Sequence, residues 1–283
     1  MAKMLNPPIK WMGGKSKLRE QIIAKFPPHS TYVEVCGGAG WVLFGKTPSP
    51  AEVYNDINGE LVNFYRVCRS RPDELIHALD LLPSSREIFQ EWKDADRLAL
   101  DEVTRAARMY YLIWLCFAGK FSGTRPASNF AYTMGKPPRF DPDKVPEAIR
   151  RTHERFKHVY VENLDCVDLI KQYDSPESLF FVDPPYAGLT GYGGDGFNDA
   201  DQRRLAEALR GIKGRFLLTN SDHPLIRELY DGCNIEEVEV LYTIGANLDE
   251  NGVAERNNKR VTELIVTNYQ AQPTLFDGLG GWL

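Results

Sequence analysis

The chain has 283 residues, 34 Lys+Arg against 39 Asp+Glu and a formal charge of −5, with 43% hydrophobic and 26% charged residues. This is the balance of a soluble globular chain long enough for one large α/β domain or two smaller ones, and it excludes wholesale disorder and a collagen-like repeat. No apolar run approaches the ~20 residues that span a bilayer, the N-terminus lacks the apolar core of a secretory signal, and five scattered cysteines without a CxxC pair suit a reducing cytoplasm and offer neither a zinc site nor a disulfide framework.

In chain order, a short helix is expected over 18–26, stopped by Pro27-Pro28. The β-branched run 31–35 reads as a strand opening onto Gly37-Gly38-Ala39-Gly40, with a helix start over 41–46. A second strand is expected over 52–55. A helix follows over 59–69, with Leu61, Phe64, Tyr65 and Cys68 on one face. Strand, glycine turn, helix, strand is how a doubly wound α/β sheet begins. From 72 to 117 the pattern is helical only, with candidates over 73–82, 85–98 and 102–117. The stretch 118–140 is irregular, and a loop that long inside a domain is usually functional or marks a separate module. Strands resume over 159–162, 179–182, 215–219, 235–242 and 262–268, with helices over 199–209 and 224–230. The last two strands flank a polar loop, 245–259, and read as an antiparallel pair at the sheet edge. Residues 1–59 and 158–270 are thus expected to form one discontinuous domain, 60–157 a mainly helical insert, and 271–283 a loose tail.

Two segments carry chemistry. Glu34-Val35-Cys36-Gly37-Gly38-Ala39-Gly40 ends the first strand, where glycines allow a sharp turn and a close ligand approach. Alone such a turn binds NAD, a nucleotide or nothing. Asp56 closes the second strand, where a carboxylate can accept from both ribose hydroxyls of an adenosine-containing cofactor. Its other reading is the N-cap of the next helix. The second segment, Asp183-Pro184-Pro185-Tyr186, follows the strand over 179–182. Two prolines cannot continue a ladder, so this is a rigid loop at the carboxyl edge, where α/β sheets bind ligands. The Asp183 carboxylate and the Pro184 carbonyl are two acceptors beside an aromatic plane. They match an exocyclic amine with two N–H bonds and a ring to stack.

At this point the chain resembles, over nearly its whole length, the Dam-type DNA adenine N6-methyltransferases (the D12 class, group α). Lys10-Trp11-Met12-Gly13-Gly14-Lys15 is similar to the family element that lies against S-adenosylmethionine, and the segment 32–40 to its first cofactor motif. Asp56 and Asn58 resemble its ribose-binding DxN, Asp165 the acid near the cofactor's adenine, and Asp183–Tyr186 the catalytic DPPY. The segment 259–269 is similar to its closing strand. The resemblance implies a Rossmann-like methyltransferase fold, a doubly wound mixed sheet with an antiparallel edge hairpin, plus an inserted helical DNA-recognition domain. It implies a cofactor, S-adenosylmethionine, held by Trp11, Gly14, Lys15, Glu34, Gly38, Gly40, Asp56, Asn58, Asp165 and Asp183. Catalysis falls to Asp183, Pro184, Pro185 and Tyr186, with no metal. Two departures stand out. Val35-Cys36 replaces the common Pro-Phe, and Ala118 stands where an Asn often follows the aromatic of the recognition segment. Cys36 reads as a small buried residue, because the Pro-Cys motif of base C5 methylation is absent.

The implied reaction is direct methyl transfer to N6 of an adenine flipped from double-stranded DNA, with Tyr186 as stacking partner and the glycine-rich loop 187–197 as a cover. Amino methylation of cytosine N4 or of an RNA base, and a non-catalytic DNA-binding module, are the competing readings. In the insert, Lys120, Arg125, Asn129, Lys136 and Arg139 are the candidate DNA contacts, interleaved with Phe121, Phe130, Tyr132 and Phe140. Charge is segregated: residues 1–25 and 120–160 each carry about +5 and the rest −15, which predicts a basic cleft. His223, before Pro224, reads as a helix-start residue. A monomer in the cytoplasm is expected. Gln272, Leu275 and Phe276 in the tail fit the QxxLF pattern of peptides that dock on bacterial sliding clamps, or form a plug onto the chain's own domain.

Overall fold

The computed structural model describes residues 4–80, 82–116, 121–122, 125–126, 128–132, 134–188, 197–248 and 254–270. In its first half, α1 (Arg19–Ala24) precedes β1 (Thr31–Glu34), α2 (Trp41–Gly45) and β2 (Ala51–Asn55). Helices α3 (Gly59–Ser70), α4 (Pro72–Asp80), α5 (Arg86–Asp94) and α6 (Glu102–Leu115) follow, then a two-residue antiparallel pair, β3 (Phe121–Ser122) and β4 (Arg125–Pro126), and α7 (Val145–Phe156). The second half alternates β5 (Val159–Glu162), α8 (Cys166–Tyr173), β6 (Ser178–Val182), α9 (Asp199–Arg210), β7 (Arg215–Ser221) and α10 (Pro224–Leu229). It closes with the long pair β8 (Asn234–Leu248) and β9 (Ala254–Thr267).

Seven strands pair in the order β5-β2-β1-β6-β7-β9-β8. The first five are parallel, while β9 is antiparallel to both β7 and β8. This is the Rossmann-like mixed sheet with an antiparallel edge that the motifs imply. Strand β6 is buried at every residue, as a central parallel strand covered on both faces must be. Side-chain alternation splits its two phenylalanines between faces. Phe181 joins Tyr32, Tyr54, Phe64 and Tyr111 in one apolar cluster, and Phe180 joins Val33, Val53, Leu205 and Leu218 in the other. Chain order reverses direction between β1 and β6, so the crevice outside their carboxyl ends is the switch point where such sheets bind ligands.

Several boundaries differ from expectation. The helix expected over 85–98 stops at Asp94, and Asp96 caps a separate 3-10 turn, Arg97–Ala99. Helices α7 and α8 were not expected. Pro146 reads as a breaker but sits in the first helical turn, where no partner for its missing N–H is needed. Only Val145, Ile149, Thr152 and Phe156 of α7 are buried, a stripe too sparse to stand out. The polar loop expected over 245–259 is largely ladder, since β8 reaches Leu248 and β9 resumes at Ala254. By contrast Leu61, Phe64, Tyr65 and Cys68 of α3 are all fully buried, as their spacing predicts.

Candidate active site

The turn after β1 is built by close packing. A Cβ on Gly37 would lie 2.2 Å from the Tyr54 ring, and Gly38 has φ +51 with Trp11 only 2.9 Å from where its Cβ would be. Only glycine fits either place. The Tyr54 hydroxyl donates to the Gly38 carbonyl at 2.6 Å and the Tyr65 hydroxyl to that of Ala39 at 2.8 Å. Asp56 ties this turn to α3: Oδ2 accepts the Gly38 N–H and Oδ1 the Asn58 N–H, each at 2.8 Å. The helix cap is therefore Asn58, whose Oδ1 accepts from the N–H groups of Glu60 and Leu61, and not Asp56. Burial raises the Asp56 pKa against these two donors.

Glu34 lies beneath the turn at 1% exposure, its Oε2 accepting from the Tyr32 hydroxyl at 2.8 Å and the Leu43 N–H at 2.7 Å. Burial pushes its pKa to about 8 despite both donors. Cys36 is half-buried, and burial with neighbouring Cys166 and Asp56 raises its thiol well above the usual range, which leaves it a poor nucleophile. Asp165 caps α8 through Val167 N–H and forms a two-pronged pair with Arg204 at 2.8 and 2.7 Å. The hydrogen bond from Arg204 holds its pKa below the ordinary value.

At the end of β6 the loop Asp183–Tyr186 is tied down from three sides. Lys15 Nζ pairs with Asp183 Oδ1 at 2.8 Å, and Thr219 Oγ1 donates to the same oxygen at 2.7 Å. Gln202 Nε2 donates to the Pro185 carbonyl at 2.8 Å, Asn220 Oδ1 accepts the Ala187 N–H at 3.0 Å, and Ser221 Oγ donates to the Ala187 carbonyl at 2.8 Å. The Tyr186 hydroxyl donates to Glu263 Oε2 at 2.6 Å, and Lys15 Nζ lies 4.7 Å from its ring centroid. Neither Asp183 Oδ2 nor the Pro184 carbonyl has a hydrogen-bond donor among the described residues. Burial raises the Asp183 pKa and the Glu263 charge adds to it, while Lys15 and Thr219 act against both.

These pieces line one cleft of about 680 Å³. Trp11, Gly14, Lys15, Glu34, Gly38, Asp56, Asn58, Asp165 and the whole Asp183–Tyr186 loop border it. Gly40 does not. It holds φ +73 at the start of α2, so its part is to turn the chain. The lining carries five acids and three basic side chains, which overturns the expected basic cleft: Lys15, from the basic N-terminal stretch, is 5% exposed and spent on Asp183. Arg97, Phe197, Asp201 and Arg204 also border the cleft, and Thr219 and Glu263 lie behind it. Of these, Phe197 ends the loop expected to cover the site, and the sequence reading missed the other five. Thr219 and Glu263 could have been flagged, since both fall at the carboxyl edge next to the Asp183 loop.

Of the candidate DNA contacts, Lys120 lies outside the described residues, as do the side chain of Arg125, residues 189–196 of the glycine loop, and Gln272, Leu275 and Phe276 of the tail. Asn129 is exposed and accepts from Lys93 Nζ at 3.3 Å. Lys136 and Arg139 are exposed, and neither pairs with a carboxylate among the described residues. The interleaved aromatics are not a shared exposed surface. Phe140 is buried against Tyr110 and Tyr111, Phe130 packs on Phe89, and Tyr132 alone among those with described side chains is exposed, at 71%. Lys10, next to Trp11, sits 4.7 Å from the Trp114 ring centroid, and partial burial plus the charge of Arg139 lower its pKa.

Residues 11–244, which include the glycine turn, the insert and the Asp183 loop, match the D12 class N6 adenine-specific DNA methyltransferase family. The chain belongs to this family. It is 32% identical over 282 residues to the type II methyltransferase M1.LlaDCHI of Lactococcus lactis subsp. cremoris, covering 94% of this chain and 96% of that one. It is 28% identical over 298 residues to the type II methyltransferase M.MjaIII of Methanocaldococcus jannaschii, covering 94% and 99%. Against the DNA adenine methylase of Escherichia coli it is 28% identical over 254 residues, 84% and 89%. The protein is a site-specific DNA adenine N6-methyltransferase, so DNA is its substrate and a methyl donor is required. No helix among the described residues is long and apolar enough to cross a membrane, and no group of three metal-ligating side chains is found among them.

Proposed function

We propose that the donor is S-adenosylmethionine and the acceptor N6 of an adenine turned out of double-stranded DNA. The two unengaged acceptors of the Asp183–Tyr186 loop carry this reading. Every neighbouring tie described above goes to another atom of the loop, so Asp183 Oδ2 and the Pro184 carbonyl remain to take the two N–H bonds of one amine. Accepting both returns lone-pair density to a nitrogen whose electrons are delocalised into the ring, and fixes its approach. Such positioning can supply about 7–11 kcal/mol of the barrier. Asp183 is also placed to take the amine proton once nitrogen has four bonds. Tyr186 offers the ring that stacks on the base, which repays part of the few kcal/mol of unstacking.

The chain fits the proposed donor. S-adenosylmethionine supplies an electrophilic methyl group on a cationic sulfur. The carboxylates Asp56, Asp165, Asp183 and Asp201 outnumber the basic side chains of the lining, which favours a cationic ligand, and such a ligand would draw the buried Glu34 toward its carboxylate form. Trp11, Gly14, Lys15 and Gly38 border its wall, Asp56 and Asn58 would hold the ribose, and Asp165 would lie toward the adenine, beside the exposed Ile57. Gly40 acts only through the turn. We further read residues 1–59 and 158–270 as the catalytic part and 60–157 as the recognition insert, reaching DNA through Lys136 and Arg139.

The test is nucleoside mass spectrometry after incubation with duplex DNA and methyl-labelled S-adenosylmethionine. N6-methyladenine is expected, and its loss in Asp183→Ala with DNA binding retained. Label in N4-methylcytosine, or none in DNA, overturns the reading.

A further inference from the structure

The two groups assigned to the reacting base, Asp183 and Tyr186, are each held by a side chain from the last strands of the sheet. Thr219 stands at the carboxyl end of β7, and its hydroxyl reaches Asp183 Oδ1 at 2.7 Å. Glu263 stands on β9, directly across from Ser221 of β7, and receives the Tyr186 hydroxyl at 2.6 Å. Both residues are almost fully buried, at 0% and 1% exposure, so neither is a surface accident. Strand β9 runs antiparallel to β7, and Glu263 falls level with the carboxyl end of β7, beside the loop that follows β6.

We propose that Thr219 and Glu263 are positioning residues for methyl transfer: Thr219 and Lys15 converge on one oxygen of Asp183 so that the other faces the amine, and Glu263 fixes the plane of the Tyr186 ring. This rests on the reading of the site given above. A carboxylate gripped only by Lys15 could rotate and share either oxygen with the ammonium. A second donor of fixed direction on Oδ1 removes that freedom. The ring of Tyr186 is gripped at its hydroxyl by Glu263, and Lys15 Nζ lies over it, 4.7 Å from the ring centroid.

The experiment measures single-turnover transfer to duplex DNA, equilibrium binding of S-adenosylmethionine and of DNA, and melting temperature. The variants are Thr219→Val, Thr219→Ser, Glu263→Leu and Glu263→Gln. Thr219→Val keeps the volume and loses the donor, so the transfer rate should fall about tenfold or more while both dissociation constants stay within about twofold. Thr219→Ser, which restores the hydroxyl, should recover most of the rate. With 2-aminopurine at the target position, Glu263→Leu should alter the emission of the bound complex, because the stacking ring is released, and Glu263→Gln should keep it near wild type. An undiminished rate in Thr219→Val, a Thr219→Ser variant as slow as Thr219→Val, or a rate loss that follows the loss of melting temperature would overturn the inference alone. A wild-type enzyme that leaves no N6-methyladenine overturns the reading of the site, and the inference with it.

Discussion

Burial makes Glu34 an acid that is neutral where acids are usually charged. Its pKa of about 8 means that the folded chain keeps, between pH 4.5 and 8, a proton that the unfolded chain has lost. Ligand-free stability should therefore fall as pH rises through that window, and Glu34→Gln should flatten the slope in urea unfolding. A cationic ligand in the cleft favours the carboxylate, so binding should expel the proton. Calorimetry of S-adenosylmethionine binding at pH 7, in buffers of different ionisation enthalpy, should show proton release in wild type and none in Glu34→Gln. Asp183 answers to more neighbours, with Lys15, Thr219, Glu263, Glu34 and Cys36 around it. Its raised pKa means that activity is lost as pH falls through a value above the usual 3.8. Lys15→Met removes the charge that holds this value down, so the acidic limb of kcat/KM should move to higher pH. The motif residues were legible because glycine, proline and a terminal carboxylate restrict what the backbone can do. Their partners Thr219 and Glu263 were legible only as polar residues at the carboxyl edge, because nothing in a strand pattern says which side chain faces a loop from another strand.

Among the elements, α7 shows what a polar sequence can conceal. Its Arg155 pairs with Glu52 of β2 at 2.5 Å and donates twice to the Leu43 carbonyl, at 3.0 and 2.7 Å, while Lys46 takes the other side of Glu52 at 2.5 Å. Burial alone would raise Glu52, yet Arg155 and Lys46 hold it below its ordinary value. The same α2 presents the Leu43 N–H to Glu34, so α7 braces the floor of the cleft from the helical side. Removing Arg155 leaves the buried Glu52 with Lys46 alone and takes two donors from the Leu43 carbonyl. Arg155→Met should cost about 3–5 kcal/mol in urea unfolding and weaken S-adenosylmethionine binding, and Arg155→Lys should not restore the paired geometry. The helices with dense apolar stripes, α3 and α6, were readable from spacing. This one was not, because two-thirds of its residues face water or other polar groups.

For the whole molecule, the net charge of −5 is the wrong quantity and its distribution the right one. The cleft lining carries more acids than bases, and among the described residues Lys136 and Arg139, both exposed and without a carboxylate partner, lie outside it, with Lys10 near Arg139. Other surface cations, such as Arg71, Arg203 and Arg227, have acidic partners. Two like charges kept near each other fit a polyanion that neutralises both. Lys136→Ala should weaken binding to all duplexes and reduce the slope of log affinity against log salt by about one. A loss confined to one sequence would mark Lys136 as a reader of bases instead.

The sequence by itself determined the order of strands and turns, the two loops that meet at the switch point, and the reaction class those loops resemble. Each of these rests on local restriction, by glycine, by proline, or by the alternation that buries one face. Only the tertiary structure decided the sign of the charge in the cleft and the bracing of Glu34 by a helix over a hundred residues away. It also decided that Lys15 and Thr219 converge on one oxygen of Asp183 and not on the other. Those depend on which side chains meet across strands and helices distant in the chain, and burial then sets their protonation. Neither contact nor burial is written in any one segment.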